Sequence, residues 1–145
     1  MSKLTEIAPD LFAAAQVDRA AIAEIAASGA RTLINNRPDG EEPGQLSAAE
    51  AQAEAERLGL TYIHIPVTAS SIALGDVDAM QQALATAAKP VVMHCRTGTR
   101  STLLWAAGEV RAGRADTATL VADAGAKGFQ IPSLPGLVVR LREDE

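Results

Sequence analysis

At 145 residues, 48% hydrophobic and 21% charged, the chain has the size and composition of one soluble globular domain, residues 1–145, able to bury a core without staples. A net charge of -5 and the lack of a Lys/Arg run exclude a nucleic-acid backbone as partner, and no stretch is long and apolar enough to span a bilayer. One cysteine excludes an internal disulfide, and with two histidines it is too little for a structural zinc, so no metal or cofactor is expected; the polar start, residues 1–6, has no apolar signal core, and a reducing cytoplasm is predicted.

Only 3% of the residues are aromatic, so the core must be built from Ala, Leu, Val and Ile. The first predicted strand is residues 11–15. Asp18 then caps a helix to about Ser28, with Ile22, Ile25 and Ala26 on one face and Gly29 as its stop. Residues 31–35 read as a second strand, followed by a long turn-rich loop, residues 37–44. Ser47 and Glu50 have capping-box spacing at the start of an alanine-rich helix that ends at Leu58-Gly59. Residues 61–65 alternate as a third strand closed by Pro66, and a polar loop, residues 68–71, follows. Asp76 is expected to cap the next helix, whose apolar stripe is Val77, Met80, Leu84 and Ala87.

Pro90 marks the entry to Val91-Val92-Met93, apolar on both faces as a central strand should be. Further helices are predicted over Ser101–Arg111, Asp116–Ala124 and Leu137–Leu141, with residues 125–136 a turn-rich link of open role. Strands alternating with helices give an α/β domain: a central, largely parallel sheet of four to five strands flanked by helices. In such sheets ligands bind beyond the carboxyl ends of the strands, where residue 95 falls.

The segment His94-Cys95-Arg96-Thr97-Gly98-Thr99-Arg100-Ser101 carries the chemistry. A strand stopping at Cys95 and a helix starting near Ser101 leave the N–H groups of residues 96–101 free to converge on one point. Those amides, with Arg96 and Arg100, favour a thiolate on Cys95. Cysteine is often buried and inert, but an inert core position has no use for two arginines and two threonine hydroxyls next to it. Gly98 lets the loop turn with positive φ and approach a ligand closely, and Thr97 and Thr99 add hydroxyls and amides. Arg100, with a planar fork, suits the substrate's negative group, while Arg96 would face solvent and steer anions. Ser101 either donates to the sulfur or caps the helix. Arg37 either reaches over the pocket or solvates its loop. His64 is read as structural, and Trp105 as core or partner contact.

The same loop resembles both the phosphate loop of cysteine-dependent protein phosphatases and the active loop of rhodanese sulfurtransferases. With residues 7–11, 32–41 and 62–67, the chain from about residue 4 to about 112 is similar to the bacterial beta-lactamase-hydrolase-like, phosphatase-like family. The resemblance implies a cysteine-phosphatase-like fold of the dual-specificity type. It also implies activity as either a phosphatase or a sulfurtransferase of sulfide and persulfide oxidation, with a persulfide dioxygenase or another sulfide-oxidising partner. It further implies that His94 holds the loop by hydrogen bonds; a merely satisfied strand-end histidine is the alternative.

Two features separate the chemistries. The phosphatase pattern places five residues between Cys and Arg, and here only Arg96, Thr97, Gly98 and Thr99 intervene, a spacing similar to the shorter rhodanese loop. A phosphatase of this fold would carry an acidic residue near position 69, which is Ala69; Asp76 and Asp78 follow, where a helix should begin and capping explains them. Sequence therefore favours a sulfurtransferase that carries sulfane sulfur on Cys95, from thiosulfate or a small persulfide to a thiol acceptor. A cysteine phosphatase acting on phosphate esters is the alternative, and a non-catalytic anion or persulfide sensor a third.

Overall fold

The computed structural model describes residues 3–145, so Met1 and Ser2 of the predicted 1–145 domain lie outside the described residues. In chain order the elements are β1 (Thr5–Ala8), β2 (Leu11–Ala14), α1 (Arg19–Ala27), β3 (Thr32–Asn35), α2 (Ala48–Arg57), β4 (Thr61–His64), α3 (Leu74–Thr86), β5 (Val91–His94), α4 (Thr99–Arg111), α5 (Thr117–Ala126) and α6 (Leu134–Glu143). They build one five-stranded sheet in the order β1-β2-β5-β3-β4. β1 runs antiparallel to β2, and every other neighbouring pair is parallel. This is the predicted α/β architecture. No helix among the described residues is long and apolar enough to cross a membrane.

Side chains alternate across the pleat, and the sheet therefore has two apolar faces. Leu33 and Val92 lie with Ile22 and Ile25 of α1 and Ala51 and Ala55 of α2. Ile34, Val91 and Met93 face the other way, toward Met80 of α3, Leu104 of α4 and Leu134 and Leu141 of α6. Alanine does the packing where α2 meets the sheet, which is how a chain so poor in aromatic residues closes its core.

The sequence reading differs from the structure at several ends. β1 escaped it because only Ile7 of its four residues is buried, too little for an alternating signal; it is an edge strand, joined to β2 through Asp10 at φ 60°, a conformation Asp tolerates better than most residues. α3 begins at Leu74, not at Asp76, and the Asp76 carboxylate caps from inside the first turn, accepting the Ala73 N–H at 2.9 Å. α4 starts at Thr99, two residues before Ser101, and α5 runs on to Ala126. α6 starts at Leu134 instead of Leu137 because Pro135 fits a first helical turn. The predicted Asp18 cap and the Ser47–Glu50 capping box form as read.

Candidate active site

The parallel register brings the carboxyl ends of four strands level: Ala14 and Asn35 both pair with His94, and His64 pairs with Asn35. Cys95 follows directly. It is 1% exposed, and its sulfur accepts a hydrogen bond from the loop that follows it. The chain leaving β5 is tied down on both sides, by Gln16 N–H to the Arg96 carbonyl at 3.1 Å and by Asn36 N–H to the His94 carbonyl at 2.8 Å.

Gly98 completes the turn. Its φ is +91°, and its N–H donates to Cys95 Sγ at 3.1 Å. Its carbonyl accepts from both the N–H and the Oγ1 of Thr102, locking the loop to α4. A Cβ here would stand 2.7 Å from Phe129 Cε1 and 3.3 Å from the Ala14 carbonyl oxygen. Gly98→Ala therefore combines a positive-φ penalty of about 1–2 kcal/mol with overpacking of about 1–3 kcal/mol. A loss of roughly 2–5 kcal/mol in urea unfolding is expected, with a changed rate of Cys95 alkylation as the loop shifts.

The remaining predicted residues fall into place with some corrections. Arg96 is exposed, as expected, and lies 3.5 Å from a Glu42 oxygen. Thr97 is exposed and its Oγ1 accepts weakly from Thr99 N–H at 3.5 Å, while Thr99 opens α4. Ser101 neither reaches the sulfur nor caps the helix. It is fully buried and donates to Asn36 Oδ1 at 2.7 Å, because α4 starts a half-turn earlier than read. His94 is buried, with Nδ1 3.4 Å from the Cys95 carbonyl oxygen and Nε2 without a partner among the described residues. Burial first, then the charge of Arg37 and the proximity of His64, push its pKa down to about 4 despite the Cys95 carbonyl contact, so it is neutral near pH 7. His64 accepts the structural part, its Nε2 3.0 Å from the Arg37 carbonyl oxygen.

Arg37 does not reach over the pocket. It is 1% exposed and donates to Glu41 Oε1 at 2.8 Å, Glu42 Oε1 at 2.7 Å and Gln16 Oε1 at 3.1 Å. Burial works against its charge, but bonds to the two carboxylates more than offset this and raise its pKa. Arg100, expected to hold substrate, is already engaged. Nη1 and Nη2 clasp the two Glu41 oxygens at 3.0 and 3.2 Å, and Nη1 also donates to the Val67 carbonyl at 3.0 Å. Burial favours the acid form of Glu41, but Arg37 and then Arg100 hold its pKa below the usual carboxylate value. Arg37 and then Arg96 do the same for Glu42.

Sequence reasoning missed Asn36, Glu41, Glu42 and Phe129. Asn36 and Arg37 follow β3 at a strand's carboxyl end, a position that, with the resemblance over residues 32–41, pointed to this loop. Phe129 lies in the 125–136 link of open role, and its ring packs on the Gly98 turn. Trp105, half-buried on α4, lines a cavity of about 380 Å³ with Leu11, Lys89 and Val91; Leu11 and Val91 open their strands, so this cavity lies at the sheet's opposite end from Cys95.

The chain is similar to known proteins both in fold and in sequence. A Neisseria meningitidis structure named as a putative phosphatase is 33% identical, with a TM-score of 0.80 over 97% of each chain. Kinase-associated phosphatase, 11% identical with a TM-score of 0.74 over 99% of this chain and 94% of that one, shows the fold alone. The beta-lactamase hydrolase-like protein of Xylella fastidiosa (strain Temecula1) is 39% identical over 129 residues, 89% of this chain and 30% of that protein. That of Agrobacterium fabrum is 42% identical over 90 residues, 62% of this chain and 21% of that protein. The chain thus spans less than a third of these relatives. Residues 3–113 match the family model described as beta-lactamase hydrolase-like protein, phosphatase-like domain, and with the cysteine loop in place the chain belongs to that family as a Cys-dependent, phosphatase-like domain.

Proposed function

We propose that the domain transfers sulfane sulfur, carrying it as a persulfide on Cys95 from a small sulfur donor to a thiol acceptor. What supports this above all is that the loop after β4 carries no carboxylic acid to protonate a leaving group. The carboxylates brought to the loop, Glu41 and Glu42, are held ionised by arginines, His94 is neutral, and residues 68–71 after β4 are Thr, Ala, Ser and Ser. An alkoxide leaving a phosphate ester needs such a proton, at a cost of roughly a hundred- to ten-thousand-fold in rate without it. Sulfite or a thiolate departs without one.

In this reading the Cys95 thiolate attacks the outer sulfur of the donor. The new S–S bond forms as the donor's old one breaks, and sulfite or thiolate leaves with the electron pair. The Gly98 N–H steadies charge on the sulfur. With a single cysteine in the chain, the sulfur must pass to an outside thiol, in a reducing cytoplasm, and a persulfide dioxygenase or another sulfide-oxidising enzyme is the partner such chemistry would supply. No further cofactor enters the scheme.

Phosphate-ester hydrolysis through a Cys95 phosphoenzyme is the second reading. The family description and the names of structural neighbours speak for it more than for sulfur transfer. Intact-mass spectrometry decides: thiosulfate or glutathione persulfide should add one sulfur to the wild type and none to Cys95→Ser. An unmoved mass together with Cys95-dependent hydrolysis of an aryl phosphate would overturn sulfur transfer, and neither result would leave a non-catalytic anion sensor.

A further inference from the structure

Three arginines surround the cysteine loop, and two glutamates of the preceding loop cancel most of their charge. Glu41 is the one that matters for substrate choice. Its two oxygens fill both Nη positions of Arg100, the fork that an incoming oxyanion would use. The same carboxylate takes Nε of buried Arg37, so it is anchored from below. Its loop is anchored too: Glu41 N–H donates to Gln45 Oε1 at 3.1 Å, Gln45 Nε2 donates to the Pro38 carbonyl at 2.8 Å, and Asp39 accepts the N–H of Ala48 at the start of α2. An oxyanion seeking Arg100 meets a built-in competitor of its own sign.

Resting on the sulfur-transfer reading above, we propose that Glu41 is a specificity-determining residue that selects alkyl persulfides as donors and disfavours dianions such as thiosulfate. A protonated alkyl persulfide brings no oxyanion to its reacting end and needs no guanidinium fork. Its outer sulfur bonds to Cys95, its S–S bond breaks, and the alkyl thiolate leaves with the electron pair. Thiosulfate must place its sulfonate among the arginines, displacing Glu41 or lying beside it. With the pair partly open to water, one carboxylate charge is worth about tenfold against a dianion.

The test compares wild type with Glu41→Gln, Glu41→Asp and, as a remote control for net charge, Glu54→Gln. Intact mass follows the rate at which Cys95 gains sulfur from thiosulfate and from cysteine persulfide. Glu41→Gln should raise the rate from thiosulfate relative to the rate from cysteine persulfide about tenfold. Glu41→Asp, which keeps the charge, and Glu54→Gln should both keep the wild-type ratio. An unchanged ratio in Glu41→Gln, or the same change in Glu41→Asp, overturns the assignment. A second arm needs no sulfur chemistry: inorganic sulfate should protect Cys95 from iodoacetamide at about tenfold lower concentration in Glu41→Gln. Were Cys95 to take up no sulfur from either donor while that shift appeared, the sulfur reading would fail and the anion gate would stand; no shift in protection would sink the gate itself.

Discussion

Arg37→Met is expected to cost about 2–4 kcal/mol of stability, seen as a lower urea midpoint with an unchanged slope. The guanidinium is 1% exposed and makes three side-chain hydrogen bonds, so its removal leaves a fully enclosed place beneath the loop. Methionine refills the volume but none of the bonds. The cost stays near the lower part of the range for breaking a buried ion pair, about 3–5 kcal/mol, because Glu41 and Glu42 keep 24% and 43% of their side chains in contact with solvent and are hydrated once freed. Adding Glu42→Gln to Arg37→Met should recover part of the loss, since one stranded charge is gone. A change within about 0.5 kcal/mol for Arg37→Met would mean that the clasp contributes nothing net and that Arg37 is a replaceable filler.

The position of Arg37 also marks what sequence could and could not disclose. The cysteine loop was legible because its signal is local: an apolar run, a cysteine, a glycine and arginines within a few residues. The caps at Asp18 and Ser47 were legible for the same reason, since a cap involves residues three apart. Glu41 meets Arg100 across 59 positions and Ser101 meets Asn36 across 65. Nothing in spacing or composition announces such pairs; they exist because β3 and β5 are neighbours, and the neighbour relation is settled by packing on both sheet faces. Phe129 was hidden by the Gly and Pro around it, which read as a link, although its ring stands where a Cβ at Gly98 would be. Arg100 was read as free for substrate because the carboxylate that claims it lies on another loop.

The protein should lose stability on mild acidification because of one side chain, His94. Its pKa is pushed from 6.5 down to about 4, chiefly because burial penalises the imidazolium. The unfolded chain binds a proton at His94 as pH drops below 6.5, whereas the folded chain resists until about 4. Over that window the unfolded state holds more protons, so stability rises with pH and falls as pH drops. At about 1.4 kcal/mol per pH unit, the loss between pH 6.5 and 4.5 approaches roughly 2–3 kcal/mol. Arg37 with Arg100, and Arg37 with Arg96, hold Glu41 and Glu42 below the usual carboxylate pKa in the fold, so their contribution is lost only as pH falls further. Urea midpoints measured from pH 7.5 to 4.5 should therefore decline below 6.5 in the wild type and stay nearly flat in His94→Asn. A flat wild-type profile, or an equal decline in His94→Asn, would show that the imidazole is protonated in the fold. That outcome would reach the chemistry as well: a charged His94 one residue from Cys95 could release a proton to a leaving group, and the case against phosphate esters would lose support.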